Sequence, residues 1–132
     1  MNDEILRAII EALPGEITII DANDEVVGWN RHETRRFLRP LTAMGLNFRR
    51  CHPEASLPLI EKLVEDLRSG KQDVARFWLD ASMPPDTVKH KVLVEFHALR
   101  DPAGNYLGCM EWTQDVEYIR GLEGEKRLFS GQ

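Results

Sequence analysis

Cysteine is scarce in this chain, and what is missing narrows the possibilities. Only Cys51 and Cys109 occur among 132 residues, too few for the disulfide framework of a small secreted scaffold. No apolar run approaches the roughly 18–20 residues that a bilayer-spanning helix needs, and no signal peptide opens the chain. The expectation is therefore a cytoplasmic protein without a membrane segment. The four histidines form no His-x-x-x-His pair and the cysteines no Cys-x-x-Cys, so a structural zinc site is not expected. There is no glycine-rich phosphate loop, and Ser56, Ser69 and Ser82 lack the glycine elbow of a nucleophilic serine. Catalysis is not expected. Excess positive charge is also lacking. The net charge of -5, with Lys and Arg scattered apart from Arg35-Arg36 and Arg49-Arg50, speaks against a nucleic-acid surface.

What remains is an ordinary globular composition at single-domain length. Ile5, Leu6, Ile9, Ile10 and Leu13 recur at helical spacing behind Asp3 and Glu4, and Leu13-Pro14-Gly15 ends that helix. Strands are expected at 16–21, 25–29, 73–80, 88–99 and 106–114, with turns at Ala22–Asp24 and Asp101-Pro-Ala-Gly104. Residues 31–48 read as charged, irregular connection, and 81–87 as a loop. A helix is expected over about 54–69, carrying Leu57, Ile60, Leu63, Val64 and Leu67 on one face and stopping at Gly70. Pro58 fits if the regular helix begins near Ser56. From Val116 the pattern turns helical again. Alternation along the strands gives an α+β fold, a five-stranded antiparallel sheet with helices packed on one face and helices flanking both ends.

This order resembles a PAS sensor domain, and the resemblance spans roughly residues 10–118. Within that family the chain is similar to a bacterial subgroup often found behind a hemerythrin-like region. The residues that carry the likeness are Leu-Pro-Gly-Glu-Ile-Thr at 13–18, Cys-His-Pro at 51–53, Glu-Lys-Leu-x-Glu-Asp-Leu-x-Ser-Gly-Lys at 61–71 and Arg-Asp-x-x-Gly at 100–104. Glu-x-Thr-Gln-Asp-Val at 111–116 and Leu-Glu-Gly-Glu-Lys-Arg-Leu at 122–128 complete it. The resemblance implies one PAS unit over 1–132: a flanking helix at 1–13, a core at 14–115 and a helical tail at 116–132. It implies a sensory or protein-interaction module that signals through its flanking helices and through homodimerisation, with a small ligand or a signalling protein as partner.

The implied cavity lies between the helical middle and the inner sheet face. Ile20, Ile60, Leu63, Val64, Val94 and Phe96 are expected to line it, with Cys51, His52, Glu111 and Thr113 as polar contributors. In haem-binding members a histidine near this helix is a common axial ligand, so His52 is the candidate if haem binds. The alternative is that His52 caps the helix or bonds its own loop. Cys51 reads as a redox thiol, an iron ligand or a small buried hydrophobe. Flavin-adduct chemistry is not expected, because Asn47 is followed by Phe48 and the cysteine comes four residues on. The analogy turns Leu107, Cys109, Glu111 and Thr113 inward. An inward Glu111 needs a partner, for which Arg76 is a candidate; the alternative is a solvent-facing Glu111 with Met110 and Trp112 buried. His97 is expected on the outer face with Lys91 and Glu95. Ile5, Ile9 and Ile10, with Leu93, Met110 and Trp112 of the outer sheet face, are the expected dimer surface. A ligand-free dimerisation module is the remaining alternative.

Overall fold

A computed structural model describes residues 1–35, 37–82 and 87–128. Helix α1 spans Asp3–Ala12, and the Asn2 side chain accepts from the Ile5 N–H at its start. Strands β1 (Glu16–Asp21) and β2 (Val26–Trp29) form a hairpin. A long connection follows, with single 3-10 turns at Leu41–Ala43, Phe48–Arg50 and Glu54–Ser56. Helix α2 (Leu57–Ser69) begins directly after Ser56, so Pro58 falls in its first turn, where its missing N–H costs nothing. Gly70 closes it in the left-handed conformation, φ 83°. Strands β3 (Val74–Ser82), β4 (Lys89–Arg100) and β5 (Tyr106–Asp115) complete an antiparallel sheet in the order β2-β1-β5-β4-β3. β3 runs through Ser82, two residues past its expected end, and the rest of the expected loop, 83–86, lies outside the described residues.

The core lies on one face of the sheet. Ile20, Val26, Val92, Val94, Phe96 and Cys109 meet Phe48 of the connection and Val64 and Leu67 of α2. Alternation explains the strand residues, and the i, i+3 spacing explains the helical ones. The outer face carries Glu95, which takes the Arg76 guanidinium and His97 Nε2 (2.9 Å). These two, Arg76 first, hold the Glu95 carboxyl below the ordinary carboxylate range. Arg76 is therefore committed to the outer face and is not the partner of Glu111.

Two sequence expectations fail for backbone reasons. Leu107 does not share a face with Cys109, because Leu99 pairs with Gly108 while Arg100 pairs with Tyr106. The extra residue is a bulge that turns Tyr106 to the core and exposes Leu107. Over its described part, residues 116–128, the expected helical tail is mostly not helical. Among the described residues it forms α3 alone (Glu117–Arg120), tied to β4 by the Lys91 N–H donating to Glu117 Oε2 (2.7 Å). Glycines at 121 and 124 interrupt the pattern, and an isolated short helix cannot offset its nucleation cost. Residues 129–132 lie outside the described residues. Among the described residues no helix is long and apolar enough to cross a membrane.

Gly108 has φ 152°, and a Cβ there would stand 2.2 Å from the Ile20 carbonyl oxygen of the neighbouring strand. The expected outcome for Gly108→Ala is a loss of about 3 kcal/mol or more by urea denaturation. Gly28→Ala meets nothing within 4 Å and should stay within roughly 0.5 kcal/mol of the unaltered protein.

Candidate functional site

A cavity of about 380 Å³ opens between the inner face of β1, β5 and β4 and the helical layer. Its walls are mainly apolar: Ile20 and Val26 from the first hairpin, Phe96 and Cys109 from the central strands, Phe48, Ile60 and Val64 from the helical side. The volume falls within the range of small-molecule sites, at its lower end.

One end of this cavity is polar, and its geometry follows from strand register. Glu111 on β5 lies opposite Thr18 on β1, and Thr113 opposite Glu16 one step further along. All four therefore face inward. Their cations come from the irregular connection after β2. Arg39 donates from Nε to Thr18 Oγ1 (3.3 Å) and from Nη2 to Glu111 Oε1 (3.3 Å). Arg35 is only 6% exposed. Its Nε reaches Phe37 O (2.9 Å), Nη1 reaches Ile17 O (3.1 Å) and Asn30 O (2.9 Å), and Nη2 reaches Thr18 Oγ1 (3.2 Å), with Glu16 Oε2 3.7 Å away. Burial pulls the Arg35 guanidinium below its ordinary value, and Glu16 acts against that shift. A guanidinium carries five donors, and here they are spent on carbonyls, a hydroxyl and a carboxylate.

At the other wall, His52 Nδ1 lies 2.9 Å from Phe48 O, and the two rings meet edge to face. That carbonyl contact places the proton on Nδ1, so His52 bonds its own loop while its ring lines the cavity. Cys51 lies beside it, half-buried, its Sγ 3.9 Å from Asn47 O. Haem does not fit this arrangement: a porphyrin would have to part Phe48 and Ile60 from Phe96, and the cavity's cations are engaged with Glu111 and Thr18 or stand at its rim. No group of three His, Cys, Asp or Glu side chains among the described residues is placed to hold a metal ion.

Of the residues expected at the site, Cys51, His52, Glu111, Ile20, Ile60, Val64 and Phe96 line this cavity. Leu63 and Val94 do not; they are spent on the packed core. Thr113 belongs instead to a smaller polar cavity of about 220 Å³ with Glu16, Arg31 and Asp115. Sequence reasoning missed Thr18, Arg39 and Arg50, which also line the main cavity. Thr18 alternates with Ile20 on β1, a signal that was present. Arg39 had none beyond the demand of an inward Glu111 for a cation. Away from the cavity, Ile5, Ile9 and Ile10 are 49, 44 and 40% exposed, so no residue of the α1 apolar stripe is fully buried in one chain. Leu93, Met110 and Trp112 sit half-buried on the outer face, beside a Trp78 that is 65% exposed and was not anticipated.

A β2-β1-β5-β4-β3 antiparallel sheet, covered on one face by a helical connection that encloses a cavity, is the PAS architecture. The chain belongs to the PAS domain family, whose model matches residues 6–117. It is similar to the C-terminal domain of a Streptococcus mutans protein, at 28% identity over 93% of this chain and 91% of that one, with a TM-score of 0.83. It shares its fold with the PAS domain of Bordetella pertussis BvgS (16% identity, 91% and 94% covered, TM-score 0.62). It also shares it with VqmA in a Vibrio cholera VqmA–ligand–DNA complex (17% identity, 97% and 62% covered, TM-score 0.60). No curated protein matches the chain. PAS homologues act as sensors in signalling and are typically not enzymes.

The two thiols should behave differently. Burial pushes the Cys109 thiol up to about 12, and nearby Glu111 adds to it. In the native protein at pH 8, a disulfide reagent should modify Cys51 alone, and Cys109 should react only after unfolding. Two fast thiols would contradict the packing around β5.

Proposed function

We propose that the chain is a single PAS unit over 1–132 that holds a small ligand in the cavity and passes its occupancy to α1 and to the tail after β5, working as a homodimer. The observation that carries this is the cavity itself: about 380 Å³ of apolar wall with a charged, hydrogen-bonded end. An apolar pocket with a few converging polar groups is the ordinary form of a ligand site. Ligand contacts with Arg39 or Glu111 would act on β1 and β5, whose ends lead directly into the flanking segments. Occupancy would then bias two packings of those segments.

The dimer rests on α1. Asn30 is fully buried and binds the helix exit at Ile10 O (2.9 Å) and Gly15 O (3.1 Å), so the direction of α1 is set while its apolar stripe stays partly exposed. A second copy would cover that stripe together with Leu93, Met110 and Trp112 of the outer face. Trp78 would extend the same surface. We further assign the chain to the bacterial subgroup found behind hemerythrin-like regions, on its Cys-His-Pro and Leu-Pro-Gly-Glu-Ile-Thr segments. Two free cysteines accord with a cytoplasmic setting.

Native mass spectrometry tests both parts at once. The expected result is a dimer mass at micromolar concentration, with a small-molecule adduct that disappears on denaturation. Ile9→Asp combined with Ile10→Asp should give a folded monomer. An unaltered protein that is already monomeric would sink the dimer, and a bare mass in every preparation would favour the ligand-free dimerisation module.

A further inference from the structure

We propose that the cavity takes a small monocarboxylate with an apolar body, its carboxylate held by Arg50 at the cavity mouth. This rests on the ligand-cavity reading above and names the class of ligand.

Among the described residues, the lysine, arginine and carboxylate side chains lining the cavity are Arg39, Arg50 and Glu111. Arg39 and Glu111 meet at 3.3 Å and balance each other. Arg50 remains, so the lining carries one positive charge in excess. No hydrogen bond or ion pair joins its guanidinium to another described residue. The 3-10 turn Phe48–Arg50 explains why it is left over. With three residues to the turn, successive side chains point about 120° apart. Phe48 goes to the core. Arg49 does not line the cavity and is spent on Glu61 (2.7 Å) and Asp24 (3.1 Å). Arg50 takes the third direction, exposed at the rim.

An occupant that fills the apolar space strips water from the cavity side of Arg50. An uncharged body leaves that loss uncompensated, and an ammonium adds a like charge. A carboxylate replaces the lost hydration with charge-assisted hydrogen bonds, and the planar guanidinium fork meets both of its oxygens. A phosphate group, with a charge of about -1.5 to -2 near neutrality, exceeds the single uncompensated cation and would share the cavity with Glu111. The head therefore stays at the mouth with Arg50. The body enters between Phe48, Ile60 and Val64 on the helical side and Ile20 and Phe96 on the sheet, toward the Arg39–Glu111 pair.

Four probes on one aromatic frame separate the classes at pH 8, where an ordinary imidazole is neutral: phenylacetate; phenylacetamide, the same shape without charge; 2-phenylethylammonium; and toluene. Affinities are read from amide shifts of cavity-lining residues in the folded protein. Phenylacetate should bind about fivefold or more tighter than phenylacetamide, the worth of a rim ion pair strengthened by partial burial. The ammonium should bind more weakly than either, and added salt should shrink the acid-to-amide ratio. In Arg50→Gln that ratio should fall below about twofold, with toluene binding unchanged. Should that variant not fold, the ratio and its salt dependence in the unaltered protein decide. A ratio near one, or a ratio that Arg50→Gln leaves unchanged, would overturn the ligand class while leaving the cavity reading intact. If no probe, toluene included, shifts the lining residues, the ligand-cavity reading falls and the class falls with it.

Discussion

Charged and polar side chains on the inner face of the two central strands constrain everything around them. Glu16 and Thr18 on β1 and Glu111 on β5 point to the side where a core must form. An uncompensated carboxylate there would cost several kcal/mol in practice. Arg35 and Arg39 supply the compensation from a segment with no regular structure of its own. The connection after β2 is thus held at its start by guanidinium bonds to strand groups, and over residues 45–48 by backbone bonds to Asp24 and Val26. Fixed in that way, it packs Phe48 against the core while Arg39 stands over the strands, and the cavity is the space left between them.

The same anchoring reaches the ends of the domain. Arg35 binds the carbonyls of Ile17 and Asn30. Asn30 accepts from the Ile17 N–H (2.7 Å) and donates to Ile10 and Gly15 at the exit of α1. A short chain of satisfied polar groups therefore links the cavity to the N-terminal helix. On the other side, β5 carries Glu111 at the cavity and runs four residues further to Asp115, whose Oδ1 accepts from the Glu117 N–H at the start of α3 (3.0 Å). Both flanking segments leave the sheet within reach of the same charged cluster.

The sheet was largely legible in the sequence because its signals are local. Period-two alternation marks Val92, Val94 and Phe96 as one face, and Asp101-Pro-Ala-Gly104 marks the hairpin. The bounds of α2 were legible from Pro58 and Gly70, which act on the backbone directly. The bulge was not, because the close approach of Gly108 to Ile20 exists only once three strands have assembled. The cavity was half legible. Its apolar wall and Glu111 follow from strand parity. Arg35, Arg39 and Asn30 take their roles from partners between 2 and 72 residues away in the chain, which no periodicity encodes. Arg76 shows the opposite error: a plausible partner by charge, it lies on the far face of the sheet with Glu95. The shortened tail has a similar cause, since an amphipathic pattern becomes a helix only where a surface covers it.

Arg35→Met tests the central role of the guanidinium cluster most directly, with urea denaturation and amide hydrogen exchange measured on the same protein. The substitution keeps bulk and removes every donor, taking the guanidinium away from three carbonyls, the Thr18 hydroxyl and the neighbourhood of Glu16. The account predicts a loss of about 3–5 kcal/mol, with faster exchange concentrated in the described part of residues 30–50 and at the exit of α1. A loss below about 1 kcal/mol, with exchange in that segment unchanged, would contradict it.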